Sequence, residues 1–238
     1  MLLSRGTTVT LHLKNIANED VGVPSAFGFT AATRRSATFY EQYGKRLFDL
    51  CFVLLSAPIV LPLTLILALA VLRDGAAPFY WQKRLGRNGK TFKLLKLRTM
   101  VPDADKIFQE YLDANPEARR EWDLTQKLKN DPRVTLVGRL LRKTSMDELP
   151  QFWNVLRGEM SLVGPRPMMV DQAPLYPGKA YYKIRPGITG LWQVKDRNNT
   201  SFMARAGYDT QYYRAISLIS DCAILLRTIL VVVRGTGY

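Results

Sequence analysis

Leu50 to Leu72 runs for 23 residues without a charge. As one straight helix it would extend roughly 35 Å at about 1.5 Å per residue, enough for the hydrocarbon core of a bilayer. A buried helix of a soluble protein rarely carries so long an uncharged stretch. Pro58 and Pro62 fall a third to halfway along it. Each lacks the N–H that a helix interior needs and crowds the preceding turn, so a kink is expected between Ser56 and Pro62. Lys45 and Arg46 precede the run; Arg73, Lys83, Arg84 and Arg87 follow it. Basic flanks mark the cytoplasmic side, and here both ends qualify. Two readings stay open: a helix that simply spans, and an apolar hairpin that enters one leaflet and returns.

The rest of the chain is not a membrane protein in composition. Over 238 residues, 47% are hydrophobic, too many for a disordered chain. The mean hydropathy of −0.09 is too low for a polytopic one. Lys and Arg number 34 against 20 Asp and Glu, a net charge of +14. Such a balance calls for a polyanion: nucleic acid, an anionic membrane face, or phosphorylated substrates. The two cysteines, Cys51 and Cys222, cannot make a disulfide scaffold and are expected as buried thiols.

Four regions follow. Residues 1–40 are a polar tail, expected to be flexible and without a cleavable signal peptide. His12, the only histidine, lies in it. Residues 41–75 hold the apolar run. Residues 76–205 form the body, and 206–238 a C-terminal amphipathic helix region suited to a membrane surface, or else to the core or a homodimer contact. Within the body, Leu95 to Arg98 alternates as a strand with Lys96 and Arg98 on one face. Asp103 to Leu128 reads as helix interrupted near Pro116. Val137 to Lys143 is a short basic amphipathic stretch. Glycines and prolines from Gly158 to Gly190 predict loops and turns.

Three constellations could do chemistry. In Leu141-Arg-Lys-Thr-Ser-Met-Asp-Glu-Leu-Pro150, the spacing of Ser145 and Glu148 is that of a capping box, and Pro150 fits a first turn. A helix is expected to open there with its N–H groups toward Asp147. Arg139, Arg142, Lys143, Arg157 and Arg166 surround the acids Asp147, Glu148 and Glu159. Acids in a first turn are also ordinary capping. The functional alternative is an anion site in which a metal bridges a carboxylate to a phosphate. The second constellation ends in Pro165-Arg166-Pro167, a rigid basic loop. The third, Ile184 to Val194, offers Gly187, Gly190 and an apolar wall in Trp192. The sequence has no P-loop, GxSxG or HExxH pattern and no Cys/His metal cluster. It has no nucleic-acid recognition signature either, so nucleic acid drops out as a partner.

Read together, the motifs resemble a known family, the monotopic polyprenyl-phosphate glycosyl-1-phosphate transferases, or bacterial sugar transferases. The resemblance covers about residues 44–238. It rests on Lys45-Arg-Leu-Phe-Asp49, the proline-broken run, Phe92-Lys-Leu-Leu-Lys-Leu-Arg-Thr-Met100, Asp131-Pro-Arg133, Arg142-Lys-Thr-Ser-Met-Asp-Glu-Leu-Pro150, Ser161-Leu-Val-Gly-Pro-Arg-Pro167, Arg185-Pro-Gly-Ile-Thr-Gly190, Asp209-Thr-Gln-Tyr-Tyr213 and Ser217-Leu-Ile-Ser-Asp221. No single motif would suffice; their order makes the match specific.

The resemblance implies a mainly helical α+β protein, anchored on one side of the bacterial cytoplasmic membrane with its body facing the cytoplasm. The anchor would be a re-entrant helix whose break falls at Ser56 and Pro58. It implies transfer of a hexose-1-phosphate from a UDP-sugar to undecaprenyl phosphate with release of UMP. Asp147 would be the nucleophile and Glu148 a ligand of Mg²⁺. Lys96, Arg142, Arg166, Pro165 and Pro167 are expected to hold phosphate, joined by Arg197 and Asp221 as family motif positions. Galactose-1-phosphate is the expected group and glucose-1-phosphate its close competitor, in exopolysaccharide or O-antigen initiation. Anionic lipids are expected partners. A tethered nucleic-acid binder or an inactive scaffold are the distant alternatives.

Overall fold

The computed structural model describes residues 38–125, 128–196 and 200–233. The expectations for the N-terminal tail through residue 37, for His12 and for Arg197 lie outside the described residues. What is described is mostly helical, with two small two-stranded sheets.

The apolar run is the core of α1, Lys45–Leu72, entered through a π-helical turn at Tyr40–Gly44. Its hydrogen-bonding pattern stays α-helical through Pro58 and Pro62, so the expected interruption between Ser56 and Pro62 is not seen as a break. Each proline removes a single N–H from a helix of 28 residues, and the ladder resumes on either side. Hydroxyls back-bond in the same turns: Ser56 Oγ donates to Phe52 O (2.7 Å) and Val53 O (3.2 Å), and Thr64 Oγ1 to Val60 O (2.7 Å). Such bonds are a known cause of helix bending.

Both ends of α1 are fastened to the same body. Near the start, Arg46 donates to the carbonyls of Val155 and Leu156, and Asp49 Oδ1 accepts from Ser161 Oγ and Leu162 N, both at 3.0 Å. At the far end, Ala68 and Val71 are buried against Leu97 and Leu141, and Arg98 Nη2 donates to Val71 O. Between these anchors, Leu54, Leu55, Ile59, Leu61, Leu65 and Ile66 are 62% to 81% exposed. Cys51 is exposed on this helix as well, and Cys222 only partly covered, contrary to the expectation of two buried thiols. Among the described residues, α1 is the one helix long and apolar enough to cross a membrane.

The body begins with a hairpin of β1 (Phe79–Leu85) and β2 (Thr91–Leu97), antiparallel from Phe79↔Leu97 to Leu85↔Thr91. The expected helix over 103–128 is α2 (Ala104–Ala114) and α3 (Pro116–Thr125), split where Pro116 opens the second helix. The basic amphipathic stretch is α4 (Leu136–Thr144). It lies against the second residue after β2: a Cβ on Gly138 would sit 2.1 Å from the Thr99 carbonyl oxygen, so only glycine permits this approach. A 3₁₀ turn, Met146–Gln151, leads into α5 (Phe152–Leu156). The glycine-rich region holds a short parallel pair, β3 (Ser161–Val163) and β4 (Gly187–Thr189), and then α6 (Leu191–Lys195).

The C-terminal region is α7 (Arg205–Arg214) and α8 (Leu218–Val233). Tyr208, Tyr212 and Ile224 from these helices share one core with Leu94, Val155, Val163 and Trp192. On α8, Ile224 is buried, while Ile219, Leu226, Ile229, Leu230 and Val233 are exposed.

Candidate active site

The 3₁₀ turn carrying Asp147 and Glu148 does not open as a side-chain-capped helix. Ser145 has φ +58° and ends α4 in the left-handed conformation, and its side chain makes no capping bond. The acids are instead positioned by packing of this turn against β2 and by cations reaching it from three directions. Both carboxylates are buried.

Lys96, near the end of β2, places Nζ 3.3 Å from Asp147 Oδ2 and 2.8 Å from Glu148 Oε1. One ammonium therefore bridges the adjacent acids. Arg166 Nη2 lies 2.9 Å from the same Glu148 oxygen. Arg142, on the last turn of α4, donates from Nε to Thr99 Oγ1 (3.0 Å) and sends its charge toward both Asp147 and Asp131. Burial pulls the Arg142 guanidinium below its ordinary pKa, and those two acids oppose that pull.

The supports of these cations are equally specific. Arg133 and Asp131 form a two-pronged pair, Nε–Oδ1 at 2.8 Å and Nη2–Oδ2 at 2.6 Å, and Arg133 also lies over the Phe108 ring. Burial pushes the Asp131 carboxyl up, but the bonds and charge of Arg133 outweigh it and hold it below the usual value. Asp131 Oδ2 is 4.0 Å from Arg142 Nη1, so this pair steadies the cation beside Asp147. The Pro165-Arg166-Pro167 loop is pinned on both sides: Gly187 N donates to Pro165 O (2.8 Å), and Arg84 Nη1 to Pro167 O (3.1 Å). Gly187 is required here, because a Cβ would fall 2.1 Å from Gly164 N.

The structure thus brings together Asp147, Glu148, Lys96, Arg142 and Arg166, with Pro165 and Pro167 as the walls of the Arg166 loop. Asp221 is elsewhere. It is fully enclosed; Oδ2 accepts from Tyr40 OH (2.7 Å) and Lys45 Nζ (2.6 Å), and Oδ1 from Tyr212 OH (2.7 Å). Its contacts make it a fastener between α8 and the segment before α1, and a carboxylate so engaged offers nothing to a phosphate. Ser56 and Pro58 lie within continuous helix.

Two cations escaped the reading of the sequence. Arg84 and Arg205 both stand near Arg166. In the sequence Arg84 counts only as one of the basic residues flanking the apolar run, and Arg205 belongs to none of the motifs. Their only signal was their type.

The site gathers cations over a buried acid pair. Two carboxylates beneath at least three cations can exchange those ion pairs for phosphate oxygens at little cost in charge. Comparison with known proteins agrees. The family described as bacterial sugar transferase matches residues 40–235. The UDP-galactose-lipid carrier transferase of Erwinia amylovora is 49% identical over 83% of this chain and 42% of its own length. The exopolysaccharide production protein ExoY of Sinorhizobium fredii is 46% identical over 81% of this chain and 87% of its own. The UDP-glucose:undecaprenyl-phosphate glucose-1-phosphate transferase of Caulobacter vibrioides is 39% identical over 78% and 68%. The chain thus spans about two fifths of the Erwinia protein and most of the rhizobial one. With the motif order, the site and these matches in agreement, the chain belongs to the bacterial sugar transferases and is an enzyme of that family.

Proposed function

We propose that the chain transfers a hexose-1-phosphate from a UDP-sugar to undecaprenyl phosphate, releasing UMP and starting an exopolysaccharide or O-antigen unit. The observation that carries this reading is the buried Asp147–Glu148 pair under Lys96 and Arg166. A nucleophilic carboxylate explains how the site works with no histidine in its body. The Asp147 carboxylate attacks the sugar-bearing phosphorus, the bond to the bridging oxygen breaks, and UMP leaves with that electron pair. The lipid phosphate then attacks the phosphoryl-aspartate, and Asp147 is regenerated. Lys96, Arg142 and Arg166 offset the charge gathering on the phosphoryl oxygens.

Mg²⁺ fits this donor set in the way it usually binds, through one or two carboxylates with substrate phosphates and water completing its shell. Among the described residues no group of three or more acids, histidines or cysteines gathers to hold a metal alone. Glu148 would be the ligand, and the ion would supply further neutralisation of phosphate charge. Lys96 and Arg166, which hold Glu148 now, would move to the phosphate oxygens.

Galactose is favoured by the name of the Erwinia relative, glucose by that of the Caulobacter one. For location, a helix that crossed the bilayer would put its ends on opposite faces, roughly 30 Å apart. In α1 both ends are bonded to one body, which supports a monotopic anchor dipping into the cytoplasmic membrane from the cytoplasm. The basic flanks on both sides of the run fit anionic lipid headgroups there.

The decisive assay supplies purified protein with Mg²⁺, undecaprenyl phosphate and a panel of UDP-sugars, and reads UMP. Release with UDP-galactose or UDP-glucose, and radiolabelled protein when the sugar-bearing phosphate is labelled and lipid is withheld, is the expected result. No UMP with any donor would refute the reaction.

A further inference from the structure

Beside Glu148 the fold collects more positive charge than its acids neutralise. Arg166 is paired with Glu148. Next to it, Arg205 of α7 lays its guanidinium over the Trp192 ring, 4.2 Å from the centroid, and over Phe202 at 4.7 Å. The Arg205 Nε is sealed from solvent and has no hydrogen-bond partner among the described residues. Arg84 of β1 gives Nη1 to Pro167 O and Nη2 to Gln82 Oε1, but its buried Nε is equally without a partner among them.

Arg166, Arg205, Trp192, Phe202, Tyr176 and Asp209 line one cleft. Asp209 is the one acid in that lining, and Tyr176 OH already donates to it at 2.5 Å. Burial, with the neighbouring arginines, pulls Arg205 down to about 9 and Arg84 down to about 10. Partly buried cations with unused donors are costly unless an anion completes them. The cleft has about 10 Å³ of free volume, room for roughly one water oxygen. That admits the edge of a phosphate and excludes a sugar or a base. The stack on Trp192 and Phe202 fixes the plane of the Arg205 fork, as a phosphate contact requires.

We propose that Arg205 holds the phosphate of the departing nucleoside monophosphate, with Arg84, outside the cleft lining, adding only its nearby charge. The inference rests on the donor reaction proposed above and names the residue that receives its leaving group. When the Asp147 oxygen bonds to the sugar-bearing phosphorus, the bridging P–O bond breaks. Its electron pair stays on the oxygen of the nucleoside monophosphate, which needs cations at that moment. Arg166 is paired with Glu148 and also lines the cleft, so the leaving phosphate falls to Arg205, the other cation of that lining.

The test is calorimetric titration of the full-length protein with UMP and, separately, with uridine. Arg205→Met keeps a long stem in the aromatic stack and removes the charge; Arg205→Lys keeps a charge without the fork; Arg84→Gln tests the second cation. A lost charged hydrogen bond predicts UMP affinity about ten- to a hundredfold weaker in Arg205→Met, with Arg205→Lys between and a smaller loss in Arg84→Gln. Uridine affinity, and the KM for polyprenyl phosphate in turnover, should not change. Unchanged UMP affinity, equal losses for UMP and uridine, or a raised KM for the lipid alone would each overturn the proposal. Arg205→Lys, which keeps the charge, is read alone if Arg205→Met does not fold. A parent protein that binds UMP but transfers no sugar phosphate would sink the donor reaction and leave the cradle standing. Normal transfer with UMP binding indifferent to both substitutions would do the reverse.

Discussion

Lys96 and Glu148 are joined by a 2.8 Å ion pair across 52 residues of sequence, and the same ammonium reaches Asp147 at 3.3 Å. The strand delivers the cation, the 3₁₀ turn delivers the acids, and neither is useful alone. Replacing Lys96 with Met keeps the stem and removes the charge that bridges the two acids. Single electrostatic stabilisers of this kind are worth about 10²- to 10³-fold in kcat, so a loss of that size in UMP release is expected. Asp147→Asn should abolish release and leave no labelled protein. Normal turnover by Asp147→Asn would remove it from the role of nucleophile.

The gathering of these residue types was legible because the motifs that carry them are local. Asp147-Glu148 and Pro165-Arg166-Pro167 each carry their residue types within a few positions. The split of α2 and α3 at Pro116, and the strand bearing Lys96, followed from periodicity and proline rules. Two kinds of information were not legible. The first is convergence: nothing near Arg205 in sequence says that α7 packs so as to lay it beside Arg166. The second is competition. Ser145 has the spacing of a cap, but its left-handed backbone ends the preceding helix instead. Pro58 and Pro62 each predict a break, but 28 residues of helix pinned at both ends absorb them. Asp221 stood in the right motif, and only the packing of α8 revealed Tyr40, Lys45 and Tyr212 around it.

Asp131 is expected to matter for stability as well as activity. Among the described residues its carboxylate is the side-chain partner of the buried Arg133 fork, beside the Phe108 ring. Asp131→Asn leaves that cation buried without its counter-charge and releases Arg142 from one of its two acids. Breaking a buried pair from one side costs about 3–5 kcal/mol. Thermal unfolding should show a clear drop in midpoint. The double substitution Asp131→Asn with Arg133→Met should recover part of it, since no uncompensated charge then remains. A midpoint unmoved by Asp131→Asn would show that the pair carries no stability.

Asp209 gives the fold a pH dependence of defined sign. Burial raises its carboxyl from 3.8 to about 7, against the opposing pull of Tyr176 OH and the Arg205 charge. Those groups and Tyr181 are the titratable neighbours that face it. Between about pH 4 and pH 7 the folded chain keeps a proton that the unfolded chain has released. Stability from this group is therefore present at the acid end and declines as pH rises through that window. Asp209→Asn should flatten that slope in a series of unfolding curves from pH 5 to pH 8. An Asn variant with the parent's slope would assign the dependence to another group.

The exposed middle of α1 makes the membrane prediction separable from the chemistry. Leu55, Ile59 and Ile66 touch little of the body, yet they form an apolar surface that water would not tolerate on a free protein. Leu55→Glu with Ile59→Glu should leave the body folded and its UMP affinity unchanged, but shift the protein from the membrane fraction to the soluble one. Retention in the membrane with both charges present would assign anchoring to another surface, such as the outer face of α8. Topology has its own readout. Cysteines placed at Glu41 and Asp74, on either side of the apolar run in a background lacking Cys51 and Cys222, should both react with an impermeant maleimide added to inverted vesicles. Neither should react in intact spheroplasts. Both positions are close to anchors that hold α1 to one body, Lys45 at one end and Val71 at the other. Labelling from opposite sides would mean that the helix crosses, and the monotopic reading would fall.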